Sequence, residues 1–151
     1  MSHNHPTGAS WSAAAAATFH CLVGCAIGEV LGMVLSTWWG WGNAASVVLA
    51  IVLAFAFGYS LTLRSVVRSG VDLRTAVRVA LAADTISITV MEIVDNLLML
   101  LVPGALAAGL GDALFWGSLV LSLAVAFAAA LPVNRTLIAR GRGHAVVHAY
   151  H

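Results

Sequence analysis

The sequence contains no lysine, and only 9% of its 151 residues are charged whereas 61% are hydrophobic. Without a lysine amine the chain cannot form a Schiff base, which excludes retinal-type and pyridoxal-type chemistry. So few charges cannot surround a water-soluble core of this size with a solvated surface. The composition therefore predicts a single-domain protein whose solvent is the lipid bilayer.

Cysteines and catalytic motifs are also scarce. The only two cysteines, Cys21 and Cys25, lie inside an apolar run, which excludes a secreted disulfide scaffold. The chain has no GxxxxGK[ST] loop for ATP and no CxxC or CxxCH motif for thiol or haem chemistry. We therefore expect no enzymatic activity, and we expect no nucleic-acid partner.

Four apolar segments are long enough to cross the bilayer, which takes roughly 20 helical residues because unpaired backbone groups are not tolerated in lipid. We expect helices at residues 12–37, 44–63, 72–102 and 112–131. Asn43 is a candidate cap for the second helix, and Pro132 is expected to end or kink the fourth.

This pattern predicts an all-α fold, a polytopic membrane protein with four transmembrane helices in a compact bundle. The transmembrane domain is expected at residues 12–140, between an N-terminal tail at residues 1–11 and a His-rich tail at residues 141–151.

All cations of the chain are arginines, and a four-span topology places them on one side. Four of the seven flank the second loop and three follow the fourth span: Arg64, Arg68, Arg74, Arg78, Arg135, Arg140 and Arg142. Short cytoplasmic loops retain positive charge, whereas tryptophans such as those in the WWGWGN loop favour a membrane interface. We therefore expect a plasma (inner) membrane protein with both termini in the cytoplasm.

Two of the six acidic residues, Asp72 and Asp112, begin predicted helices, whereas the other four lie well inside them, at Glu29, Asp84, Glu92 and Asp95. A charge in mid-membrane costs at least ~2.5 kcal/mol. Each acid must therefore be protonated, hydrogen-bonded or bound to a cation from outside the chain. Asp84 is the closest of them to Arg78 and is also a candidate partner for it.

The acids share helix faces with sulfur donors. At about 100° per residue, Cys21, Cys25 and Glu29 lie on one face of the first helix, and the third helix presents a similar face. The face of the third helix comprises Asp84, Met91, Glu92 and Asp95. If the two faces meet, they form a column that suits a soft or borderline metal ion and also a proton. All seven residues are candidate metal ligands, although buried Cys and Met are usually ordinary core residues.

Because these two helices run in the same direction, their residues can be matched by depth. Cys21 is predicted to lie level with Asp84, and Glu29 level with Glu92.

The first helix also carries small residues one turn apart, at Gly24, Gly28, Gly32 and Ser36. Such a stripe of small residues lets a second helix approach closely.

Two histidines of the tail, His144 and His148, have the i, i+4 spacing that can place two imidazoles on one metal ion. They complete the set of candidate metal ligands. A solvated tail without a metal is an equal alternative, because a short His-rich tract is only a compositional signal.

Three stretches carry a family resemblance: FHCLVGCAIGEVLGM, AADTISITVMEIVDNLLMLLVPGA and PVNRTLIARGRGHAVVHAYH. They resemble a bacterial and archaeal membrane family catalogued as domain of unknown function 4396. The resemblance extends from Thr18 to His151. It implies a small four-helix membrane protein in which these three stretches belong together, and it implies no established activity.

Three functions fit these observations. The first is a passive or proton-coupled protein that binds a transition-metal ion, copper-like or zinc-like, with transport of the ion as an extension. Four packed helices leave little lumen, so a conduit requires a homo-oligomer. The second is a redox bundle using haem or quinone, although the thiols are near the outer limit of disulfide geometry. The third is a structural subunit whose protonated acids join helices, for which Glu29→Gln is harmless.

Overall fold

The computed structural model describes residues 11–140, and within that range the chain forms helices and no strands. The four helices are α1 (Trp11–Trp39), α2 (Asn43–Arg68), α3 (Leu73–Leu101) and α4 (Ala113–Ala139). Short connections join the first three helices, and residues 102–112 join α3 to α4. The prediction of an all-α chain with four helices is confirmed.

The fourth helix is longer than the sequence indicated. It continues through Pro132 to Ala139, so the prediction that it ends at residue 131 is wrong. A proline removes one helical hydrogen bond but is tolerated where neighbouring helices and hydroxyl side chains provide partners. Asn134 and Leu137, both beyond the proline, are buried. Residues beyond the proline therefore remain part of the bundle.

The helix starts differ in how they are capped. The prediction of an Asn43 cap is wrong, because Gly42 occupies the N-cap position of α2 and makes no side-chain cap bond. At α3 the Asp72 carboxylate accepts a hydrogen bond from the Thr75 backbone N–H at 3.1 Å. Hydrogen bonds from Thr75 favour the charged carboxylate, so the pKa of Asp72 is lowered from its ordinary value.

α1 and α2 pack with their backbones in contact. Three pairs of positions stack along this antiparallel contact: Gly24 with Gly58, Gly28 with Ala54, and Gly32 with Ala50. A Cβ atom added at Gly28 would lie 2.5 Å from the Ala54 Cα atom, closer than real Cβ contacts come. The small residues of α1 therefore serve helix packing, as predicted.

One end of the bundle carries all the arginines that the structure describes, and we call it the arginine end. The start of α1, the end of α2, the start of α3 and the end of α4 meet there. The Arg135 guanidinium lies 4.2 Å from the centre of the Trp11 ring, which joins the first and last helices at this end. The start of α1 and the end of α4 thus lie on the same side.

Three helices, α1, α2 and α4, are long and apolar enough to cross a membrane. α3 is as long as α1, at 29 residues, but carries three acids in its middle. Large apolar side chains cover the outside of the bundle, among them Val52, Ile93, Leu97 and Val120. An outer surface of this kind fits lipid better than water.

Candidate functional site

The acids of α3 point into the bundle. The exposed fraction is 0% for Asp84, 5% for Glu92 and 2% for Asp95. Each of them meets a side chain of α1, so the predicted meeting of the two polar faces is confirmed. Three levels can be distinguished from the arginine end towards the opposite end.

At the first level the Cys21 thiol donates to Asp84 Oδ1 at 3.6 Å. This contact confirms the predicted depth match between the two residues. The Asn134 side-chain amide lies at about the same level, because it donates to the Ser87 hydroxyl on α3 at 2.9 Å and to the Thr18 hydroxyl on α1 at 2.9 Å. One amide of α4 therefore joins three helices.

At the second level Cys25 and Glu92 are in hydrogen-bonding contact. The Asn96 amide, one turn further along α3, lies 3.3 Å from Glu92 Oε2. Met91 is buried in the same apolar cluster as Cys25 and Cys21. A thiol, a thioether and a carboxyl group are thus close together at this depth.

At the third level two helices converge on Asp95. The Ser122 hydroxyl of α4 donates to Asp95 Oδ1 in a short contact, and the Glu29 carboxyl of α1 is in hydrogen-bonding contact with Asp95. Glu29 was predicted to lie level with Glu92, but the residue it contacts lies about one turn further along α3. The partner of Glu29 is Asp95, whereas Glu92 pairs with Cys25.

A pocket reaches this third level from the end opposite the arginines. Its wall includes Glu29, Asn96, Asn43 and Ser46, with Met33, Met99 and Phe115 among its apolar residues. It offers about 40 Å³ to the centres of water molecules, whereas one water needs roughly 10–15 Å³. The Glu29 carboxyl can therefore be hydrated from that end.

The predicted metal ligands form pairs and not one cluster. Among residues 11–140 no three His, Cys, Asp or Glu side chains are grouped closely enough to hold a metal ion. The pairs are Cys21 with Asp84, Cys25 with Glu92, and Glu29 with Asp95. His144 and His148 lie outside the described residues.

Two site residues escaped the sequence analysis, Ser122 and Asn134. A serine in an apolar helix commonly bonds its own backbone, and Ser122 also donates to the Leu119 carbonyl at 2.9 Å. Asn134 follows Pro132, beyond the predicted end of the fourth helix. The available signal was an amide side chain three residues after the predicted end of an apolar span.

The fold and the site define a class: a small helical membrane protein with an acidic, thiol-containing interior. The chain belongs to the family described as Domain of unknown function (DUF4396), whose sequence model matches residues 10–143. The match includes all four helices and confirms the resemblance. Comparison with curated proteins and with solved structures finds no match.

Proposed function

We propose that this protein binds a cation inside the membrane at the carboxyl groups of Glu29, Glu92 and Asp95. The cation is a transition-metal ion, copper-like or zinc-like. Passage of the ion across the bilayer is an extension that requires a homo-oligomer, because four packed helices leave little lumen.

The proposal includes a topology in which all four helices cross the plasma membrane with both termini in the cytoplasm. α3 is suited to cross the membrane because its acids face the other helices. On its outer side the apolar side chains of Ile93 and Leu97 are 62% and 53% exposed. The arginines of the described chain gather at one end, which favours the cytoplasmic side for that end.

The observation that supports the proposal is the presence of three buried or half-buried carboxyl groups at neighbouring depths without a cationic side chain among them. Glu29 contacts Asp95, and Glu92 lies near enough to Glu29 for the two carboxyl groups to interact electrostatically. The described arginines lie at the arginine end, away from these residues. Buried carboxylates require neutralisation, and a cation from outside the chain provides it.

The sulfur donors support a transition metal over Mg²⁺ or Ca²⁺, which prefer all-oxygen ligands. The Cys25 thiol contacts Glu92, and Met91 packs in the same cluster as Cys25. Since the ligands stand as pairs, binding needs Cys25 and Glu92 to turn towards Asp95. Thiol and carboxyl ligands release protons on binding, so affinity for the metal falls as pH falls.

Calorimetric titration of the purified protein with Zn²⁺ tests the proposal. Wild type is expected to bind, and Glu92→Gln and Cys25→Ser are expected to bind more weakly. Asp112→Asn is the matched control, because Asp112 is an exposed helix cap and asparagine caps equally well. Unchanged binding in both interior variants would contradict the proposed site.

A structural function is the second candidate, and the contacts of Asp95 favour it. Ser122 of α4 and Glu29 of α1 both meet this one carboxyl group of α3, so a protonated acid can join three helices. Under this alternative Glu29→Gln leaves thermal stability unchanged, because the glutamine amide still donates to Asp95. The metal-binding proposal instead expects the variant to lose affinity for Zn²⁺.

A further inference from the structure

A groove between α2 and α3 opens onto the outside of the bundle near the arginine end. Each of the two helices contributes three residues to its wall: Tyr59, Ser60, Leu63, Val77, Ala80 and Leu81. The groove offers about 160 Å³ to the centres of water-sized groups, whereas one water needs roughly 10–15 Å³. It is therefore large enough for several consecutive methylene groups.

The hydroxyl groups of the groove are already bonded within the protein. The Tyr59 and Thr85 hydroxyl groups lie 2.7 Å apart and join α2 to α3 at the end of the groove away from the arginines. The Ser60 hydroxyl donates to the Ala56 carbonyl of its own helix at 2.6 Å. Leu81, on the α3 wall, is 50% exposed. The groove thus presents hydrocarbon to its occupant, which suits an acyl chain better than a polar molecule.

Arginines lie at the other end of the groove, on both of its walls. Arg64 follows Ser60 by four residues on α2, and Arg78 precedes Leu81 by three residues on α3. Residues at these spacings are neighbours on a helix surface. Arg74 lies one turn beyond Arg78 towards the arginine end. All three arginines are exposed, so their guanidinium groups are available at the mouth of the groove.

The charge at this mouth is strongly positive. Residues 64–78 contain four arginines and one acid, Asp72, which gives the segment a net charge of +3. The Asp72 carboxylate caps α3 through the Thr75 backbone N–H. Guanidinium groups match the oxygens of a phosphate in geometry as well as in charge. A molecule with a phosphate at one end and a hydrocarbon chain at the other is therefore complementary to the mouth and the groove together.

We propose that this groove binds one anionic phospholipid. An acyl chain lies between α2 and α3, and the phosphate accepts hydrogen bonds from Arg64, Arg74 and Arg78. A zwitterionic phospholipid adds a cationic group that the arginines repel, so the site selects a headgroup with net negative charge. Basic sites of this kind between membrane helices suit the cytoplasmic leaflet, whose surface is negative. The lipid site shares the proposed membrane topology with the cation site but none of its residues.

Competition between phosphatidylglycerol and phosphatidylcholine tests the headgroup. The two lipids, with identical acyl chains, are added in equal amounts to protein in neutral detergent, and bound lipid is counted by native mass spectrometry. Wild type is expected to retain one phosphatidylglycerol. Arg74→Gln should bind it about fivefold more weakly, the factor that corresponds to one arginine near anionic lipid.

Arg140→Gln is the matched control for the headgroup. Arg140 lies at the arginine end, but it follows α4, which packs against α1 and α3. The control should bind phosphatidylglycerol as wild type does. Equal retention of the two lipids by wild type, or equal weakening in the two variants, would overturn the proposal.

A phenylalanine at Ser60 tests the groove itself. The ring fills the space of the acyl chain, so Ser60→Phe should retain no more phosphatidylglycerol than Arg74→Gln does. Val52→Phe is the control, because Val52 lies about two turns earlier on α2 and is 59% exposed. Equal retention by the two phenylalanine variants would contradict binding in the groove. Displacement of the lipid by inorganic phosphate at the same concentration would show that the arginines bind phosphate without the acyl chain, and would also overturn the proposal.

Photochemical labelling of wild type avoids any dependence on the folding of variants. Phosphatidylglycerol with a diazirine on its acyl chain is added to the protein in phosphatidylcholine vesicles. On illumination the diazirine releases N₂, and its carbon inserts into a neighbouring C–H bond. Peptide mass spectrometry should find the adducts mainly at residues 59–63 and 77–81, and the same diazirine on phosphatidylcholine should label these segments less. Labelling spread evenly over the outer surface, as far as Val120 of α4, would contradict the site.

Zn²⁺ titration separates this inference from the proposed function. Arg74→Gln should bind Zn²⁺ as wild type does, because Arg74 lies outside the cation site. If phosphatidylglycerol is selected and no metal binds, the lipid site stands and the proposed function fails. If Zn²⁺ binds and wild type does not distinguish the two lipids, the reverse holds.

Discussion

The Asn134 amide donates a hydrogen bond to the Thr18 hydroxyl at 2.9 Å and so joins the last turns of α4 to the first turns of α1. The same amide donates to Ser87 of α3. Because all three side chains are buried, the Asn134 amide N–H groups depend on the two hydroxyl groups as acceptors. These two buried hydrogen bonds of Asn134 therefore help to hold the arginine end of the bundle together.

Replacement of Asn134 by leucine is expected to destabilise the bundle. Loss of a buried hydrogen-bonding partner costs about 1–3 kcal/mol. Thermal unfolding in detergent, followed by circular dichroism, measures the effect. Thr136→Leu is the control, since Thr136 is exposed on the same turn of α4. If the two variants unfold at the same temperature, the Asn134 network does not support the fold.

A leucine at Gly28 should disrupt the protein more than a leucine at either of two other glycines. At Gly28 the new side chain meets the backbone of Ala54, which cannot move aside, whereas at Gly58 it meets only the end of the Ile88 side chain. At Gly117 nothing lies within 4 Å of an added Cβ. Overpacking costs about 1–3 kcal/mol. The yield of detergent-stable protein should rise from Gly28→Leu through Gly58→Leu to Gly117→Leu, and any other order contradicts the close α1–α2 contact.

Asp72 should contribute to stability only when it is ionised. Its folded-state pKa is lowered by hydrogen bonds from Thr75, so the contribution is present above the unfolded pKa and is lost as pH falls through the folded pKa. Asp72→Asn keeps a capping side chain but removes the charge. Wild type is expected to exceed the variant in unfolding temperature at neutral pH, with the difference vanishing in acid. A difference that stays constant with pH would show that the charge is unimportant.

The proposed topology predicts that both termini are cytoplasmic. A C-terminal reporter that is active only in the cytoplasm should be active when fused after residue 151, and one that requires export should be silent. Fusion at residue 41, in the α1–α2 connection, is the control. There the reporter that requires export should be active and the cytoplasmic reporter silent. An exported C-terminus would reverse the orientation and place the pocket on the cytoplasmic side.

The meeting of α1 with α3 could be predicted because polar residues recur on one face of each helix. Depth matching then identified the contact of Cys21 with Asp84. The partner of Glu29 could not be fixed in the same way, since periodicity leaves the relative shift of two helices free by about one turn. Packing sets that shift, and it brings Glu29 to Asp95.

The contribution of α4 was beyond the sequence analysis for a different reason. A proline ordinarily ends a helix, yet in a membrane bundle neighbouring helices supply partners for the freed backbone groups. The helix continues past Pro132 and carries Asn134 into the interior. Ser122 resembles any other serine of an apolar helix until the position of Asp95 is known.

The metal content of the protein is the most direct measurement of cation binding at the carboxyl groups. Wild type and Glu92→Gln are expressed in medium with trace zinc and copper, purified in detergent without added metal, and analysed by elemental mass spectrometry. Wild type should retain a transition-metal ion in a fixed ratio to protein, and Glu92→Gln should retain much less. Wild type without bound metal, or equal metal in the two proteins, would contradict a site built on Glu29, Glu92 and Asp95.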